Sequence, residues 1–68
     1  MSAELLAFPP ELLNRKQAAY ILSTSEWGVR ELVRQNKLPE VIDGGKWAKY
    51  RLDDVRAYIK ALPEKVSA

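Results

Sequence analysis

The chain contains no cysteine and no histidine. Without cysteine, neither a disulfide framework nor a thiolate metal site can reinforce the fold. Without histidine, the commonest general base and metal ligand is missing. No apolar run is long enough to span a bilayer. At 68 residues, one domain with a modest core is the most that can form, near the edge of independent stability. Met1 to Pro10 lacks a basic leader and a cleavable small-residue site, and so does not read as a signal peptide. A cytoplasmic protein is expected. No base and nucleophile fall into a recognisable constellation, so an enzyme is the least supported class, with no cofactor or metal expected.

Charge is present but unevenly placed. The net value is only +2. Residues 1–13 carry Glu4 and Glu11, a local −2. Residues 14–51 carry Arg15, Lys16, Arg30, Arg34, Lys37, Lys46, Lys49 and Arg51 against Glu26, Glu31, Glu40 and Asp43, a local +4. Residues 52–68 balance Arg56, Lys60 and Lys65 against Asp53, Asp54 and Glu64. The positive excess therefore lies in the middle of the chain, where a polyanion would be met.

Residues 1–11 read as an arm. Leu5, Leu6 and Phe8 are apolar, and Pro9-Pro10 favours an extended chain. The expected role is packing onto the core or fraying, with a dimer contact as the alternative. A first helix is announced by Asn14 as N-cap with Gln17 three residues on, a capping box, and Leu13 just before it. Ala18, Ile21 and Leu22 share its apolar face. Ser23-Thr24-Ser25 forms a turn, and Ser25 caps a second helix with Glu26 in its first turn. Val29, Leu32 and Val33 give the apolar stripe of that helix. Trp27, Arg30, Glu31 and Arg34 fall on the opposite face. Asn36 fits a left-handed C-terminal position, and Pro39 stops the helix. Gly28 is costly inside a helix, and its presence is explained either by a close backbone approach or by tolerance near a helix end.

Asp43-Gly44-Gly45-Lys46 is a tight turn joining two strand-like runs, Glu40 to Asp43 and Lys46 to Arg51. Alternation sends Trp47, Lys49 and Arg51 to one side and Lys46, Ala48 and Tyr50 to the other, with Tyr50 as the expected core residue. A third helix is expected with Asp53 as N-cap, a buried stripe of Val55, Tyr58, Ile59 and Leu62, and Pro63 as its stop. Residues 63–68 form a tail.

These residues together resemble a known family. Leu13-Asn14, Gln17-Ala18-Ala19-Tyr20-Ile21-Leu22, Val29, Leu32-Val33, Lys37-Leu38-Pro39, Gly44-Gly45-Lys46, Tyr50-Arg51-Leu52-Asp53-Asp54-Val55 and Ala57-Tyr58-Ile59 are similar to the excisionase-like branch of the MerR-type winged-helix superfamily. The likeness covers residues 12–62. It implies a mainly α fold with a small β-hairpin wing: a winged helix-turn-helix of three helices and a two-stranded antiparallel hairpin. It also implies a DNA-binding protein of a phage or mobile element in a bacterial host cell, with monomers side by side on double-stranded DNA, bending it and directing a partner integrase toward excision. Small prophage transcriptional regulators and the DNA-binding modules of phage terminase small subunits share the pattern. The chain departs from it in Ser23, where the family's turn usually carries glycine, in Gly28, where serine or threonine is commoner, and in a wing one residue longer around Trp47.

On this reading the recognition helix offers Ser25, Glu26, Trp27, Gly28, Arg30, Glu31 and Arg34. Arginine forks match guanine edges or phosphate, although Glu26 and Glu31 could instead pair with them on a solvated face. Glu31 could accept from cytosine or orient an arginine. Trp27 either touches a sugar or thymine methyl or folds back over the turn. The wing offers Gly44, Gly45, Lys46, Trp47 and Lys49. Trp47 is expected to pack against the hairpin base, with a minor-groove wedge or a neighbouring monomer as alternatives. Arg15, Lys16, Gln17, Lys37 and Arg51 are phosphate-contact candidates, Arg51 alternatively pairing with Asp53 or Asp54. A protein-interaction module using Trp47 and the apolar arm is the reading from another class.

Overall fold

A computed structural model describes residues 10–65. The elements run β1 (Leu12–Leu13), α1 (Arg15–Ile21), α2 (Glu26–Arg34), β2 (Val41–Asp43), β3 (Trp47–Arg51) and α3 (Leu52–Ala61). Three helices pack with one antiparallel sheet of order β1-β3-β2. This corrects two expectations: the sheet has three strands where a two-stranded hairpin was expected, and the fold is mixed α/β where a mainly α fold was. The extra strand is Leu12-Leu13. Its main chain pairs Leu12 with Arg51 and Leu13 with Tyr50. Facing residues of an antiparallel pair point to the same side, so Leu13 lies beside Tyr50, and neither exposes any surface. The arm's Leu5, Leu6 and Phe8, and the last three residues of the tail, lie outside the described residues.

Each helix starts where its amides find acceptors. In α1 the capping box is complete: the Gln17 amide donates to Asn14 Oδ1 (2.8 Å), and the Asn14 amide to Gln17 Oε1 (2.9 Å). In α2 the Gly28 amide donates to Ser25 Oγ (3.0 Å). α3 differs from expectation. It begins at Leu52, one residue before the expected cap Asp53, and its N-cap Arg51 makes no side-chain capping bond. The first amide is satisfied from elsewhere in the chain, because Leu52 N–H donates to the Glu11 carbonyl (2.9 Å). Asp53 and Asp54 then sit in the first turn, where the helix dipole favours negative charge.

α1 and α2 end alike. The first amide past each C-cap reaches back three residues (Ser23 to Tyr20, Asn36 to Val33), and the second reaches back five (Thr24 to Ala19, Lys37 to Leu32). This is the Schellman arrangement, and its pivot residue must be left-handed. Ser23 has φ 55° and Asn36 φ 58°. Ser23 therefore takes a left-handed conformation that glycine adopts at lower cost.

The buried core is Leu13, Ala18, Ala19, Val29, Leu38, Tyr50, Leu52 and Val55, with Ile21, Leu22, Leu32, Val33 and Tyr58 packed against it. α1 touches α2, α3 and two of the three strands, and β3 touches both other strands, α1 and α3. The expected stripe of α3 is only partly buried. Val55 is covered, but Ile59 and Leu62 are 41% and 49% exposed. α3 packs on β3 and α1, and Ile59 to Ala61 at its end are all exposed. Gly28 has a packing reason: a Cβ there would collide with Thr24 Oγ1 across the turn.

A left-handed conformation costs an L-residue roughly 1–2 kcal/mol, offset in part by the greater unfolded-state freedom of glycine. Ser23→Gly should therefore stabilise the fold by about 0.5–1 kcal/mol, read as a higher denaturant midpoint with an unchanged slope. A lower midpoint would mean that Ser23 contributes a native interaction that outweighs its backbone cost.

Candidate nucleic-acid interface

α2 has two chemically distinct faces. Val29 is fully buried and Leu32 and Val33 pack beside it. Arg30 and Arg34 are exposed away from that stripe, where Trp27 is 69% exposed; Glu26 is exposed in the first turn, beside α1. Trp27 thus stands out from the turn and does not fold back over it. Residues 27, 30, 31 and 34 are three and four apart, so they form one contiguous ridge. At the helix start Ser25 supplies the cap and Gly28 leaves room for Thr24.

The two arginines of this ridge are not equivalent. Arg34 donates from Nε and Nη2 to Glu31, at 2.9 to 3.2 Å. The guanidinium holds the Glu31 carboxyl below the usual carboxylate range, and the carboxylate raises Arg34 in turn. Arg30 makes no ion pair among the described residues, and neither does Glu26.

The hairpin turn has φ 65° at Gly44 and 73° at Gly45, values that glycine adopts freely. Lys46 N–H closes the turn on the Asp43 carbonyl (3.3 Å). The ladder, however, pairs Asp43 with Trp47. The turn therefore holds three residues, Gly44 to Lys46, between the paired Asp43 and Trp47. Trp47 does not pack against the hairpin base as expected: it is 61% exposed. Its register places it opposite Asp43, on the face away from Tyr50. The Lys46 ammonium lies 5.0 Å from its ring centroid, a cation–π distance. Lys49, half-buried, shares that outer face with Arg51.

The phosphate-contact candidates divide into free and engaged groups. Arg15 is engaged: its Nε–H donates to Tyr50 Oη (3.2 Å), and the Tyr50 hydroxyl donates to Glu40 Oε2 (2.7 Å). Gln17 Oε1 is taken by the capping box. Arg51 Nη1 lies 3.8 Å from Asp54 Oδ2, an oxygen that is buried without a hydrogen-bond partner among the described residues. Lys16 and Lys37 are exposed and make no ion pair among the described residues.

One candidate was missed. Tyr20 is 46% exposed and lines a shallow groove with Asn14, Lys16, Gln17, Ala19, Thr24 and Glu26. The available signal was its spacing: Lys16 and Tyr20 are four apart, on one helix face.

Among the described residues, no group of three or more acidic side chains is placed to hold a metal ion, and no helix is long and apolar enough to cross a membrane. No family model matches the sequence, and no curated protein matches it significantly. The geometry of the exposed ridge and hairpin is thus what bears on function.

The Tyr50 hydroxyl offers a separate check. Burial pushes its phenol above the ordinary value of 10.0; donation to Glu40 adds to the shift, and Arg15 opposes it. The folded state holds this proton more tightly than the unfolded chain. Its stabilising contribution is therefore whole below the ordinary phenol range and is lost as pH rises through the higher folded value. An ultraviolet titration should show a late phenol that is absent from Tyr50→Phe. Wild type should lose more stability than the variant across that alkaline window. Equal alkaline losses in the two chains would contradict the network.

Proposed function

We propose that this chain is a sequence-specific DNA-binding protein. In this reading α1, the Ser23–Ser25 turn and α2 form a helix-turn-helix, and β2–β3 is its wing. The observation that carries the proposal is the outer ridge of α2: Trp27, Arg30 and Arg34 project from a helix anchored on its other side by Val29. A recognition helix enters the major groove with a ridge of this kind, and arginine is the side chain best matched to guanine there. Lys46 and Lys49 suit backbone or minor-groove contact, and Lys16 with Tyr20 suits phosphate. Nonspecific attraction comes from the local +4 of residues 14–51.

The finer proposal is an excisionase-type factor. It rests on the resemblance over residues 12–62. Copies would bind adjacent sites side by side, bend the duplex and direct a partner integrase toward excision. No catalysis by this chain is needed, since binding and bending do the work.

Arg30→Ala should weaken binding to a duplex selected from a randomised library by about 1–3 kcal/mol, while its exposed position leaves folding intact. Unchanged affinity in a fluorescence titration would remove the α2 ridge from the interface. Footprints that fill in steps over adjacent sites fit the excisionase reading. A single compact footprint would assign the chain to promoter regulation.

A further inference from the structure

Arg34 does not stand free on α2. Its Nε–H is shared between Glu31 Oε1 (3.2 Å) and Oε2 (3.0 Å), and one Nη2–H reaches Oε1 (2.9 Å). The pair lies at the surface, with the Arg34 side chain 67% exposed and the Glu31 side chain 27%. Exposed pairs at this spacing add little to stability, so the fold gives small reason for it. What the contact does fix is the direction of a long side chain. A free arginine loses rotamer freedom when it meets a partner, whereas a held one has already lost it.

The geometry of the guanidinium matters further. The carboxylate occupies its Nε/Nη2 edge. The Nη1/Nη2 end keeps a two-donor fork, which is the shape that matches O6 and N7 of guanine. Both acceptor oxygens of Glu31 are meanwhile engaged by Arg34.

We infer that Glu31 is a positioning residue for sequence discrimination: it aims the outer fork of Arg34 at a guanine edge. This rests on the DNA-binding reading above. It assigns the two arginines of the ridge different duties. Arg34 is preset and reads one base pair, and Arg30, with no such partner, adapts to the base or phosphate it meets.

Charge and specificity then move in opposite directions. Removing Glu31 deletes a negative charge from a face that meets phosphates, so affinity for arbitrary DNA should hold or rise. It also releases Arg34, so discrimination should fall. A plain surface ion pair would produce the first effect without the second.

The test uses the full chain and a duplex library with a randomised centre, sequenced before and after selection. Glu31→Ala should lose about fivefold or more of the preference at one base pair, with affinity for the unselected library equal or higher. Glu31→Gln, which keeps one acceptor but not the charge, should fall between. In an Arg34→Ala background, adding Glu31→Ala should leave the preference profile unchanged. A wild-type preference retained at every position in Glu31→Ala would overturn the inference while leaving DNA recognition intact. So would a change that persists without Arg34, since Glu31 would then read the base itself. A wild-type chain that enriches no sequence would remove the recognition reading and this inference together.

Discussion

Tyr50 is the residue on which the other parts depend. It lies in the middle strand, its ring has no exposed surface, and its hydroxyl is held between Arg15 and Glu40. Through it the start of α1, strand β1, strand β3 and the segment entering β2 meet at one point. It is the largest of the fully buried side chains. In a chain with no cysteine, eight buried residues form the core among the described residues. Side-chain fit and a short polar relay must then supply what a disulfide or metal supplies elsewhere.

That economy shapes the surface. α2 is held by Val29 and the turn, and its packing is chiefly against α1. The helix is therefore fixed in place while one side stays free. Trp27 and Trp47 are both more than half exposed, in a fold with little apolar material to spare. Large exposed aromatics mark interaction surfaces more often than chance placement. Here each has cations for neighbours: Arg30 and Arg34 along the helix, Lys46 over the indole in the hairpin. Apolar area flanked by positive charge suits a polyanion with flat bases and sugars.

Much of this was legible in the sequence where the signal is local. The Asn14–Gln17 box, the Ser25 cap, the left-handed Asn36 and the paired glycines at 44 and 45 are decided within a few residues, and they stand as read. What was not legible depends on partners far along the chain. Leu12-Leu13 is too short to show alternation, and it becomes a strand only because Tyr50 and Arg51 lie beside it. α3 starts early because Glu11 supplies an acceptor. Ile59 reads as core by spacing, yet it is 41% exposed at the end of α3. Leu38 is buried because the end of α2 turns the chain inward there. In the candidate interface, the residue types were visible but their engagement was not. The Arg34–Glu31 pair was open as an alternative from its spacing, but nothing local tells that Arg15 serves Tyr50, 35 residues away, or that Trp47 faces outward with Lys46 above it.

The central claim is that one set of surfaces meets duplex DNA. Amide chemical-shift mapping during titration with a mixed-sequence duplex tests it most directly. The account predicts shifts gathered at Lys16 to Tyr20, Trp27 to Arg34 and Gly44 to Lys49, weakening as salt is raised. Shifts confined to the exposed end of α3 around Ile59 and Leu62, or no shifts at low salt, would contradict it.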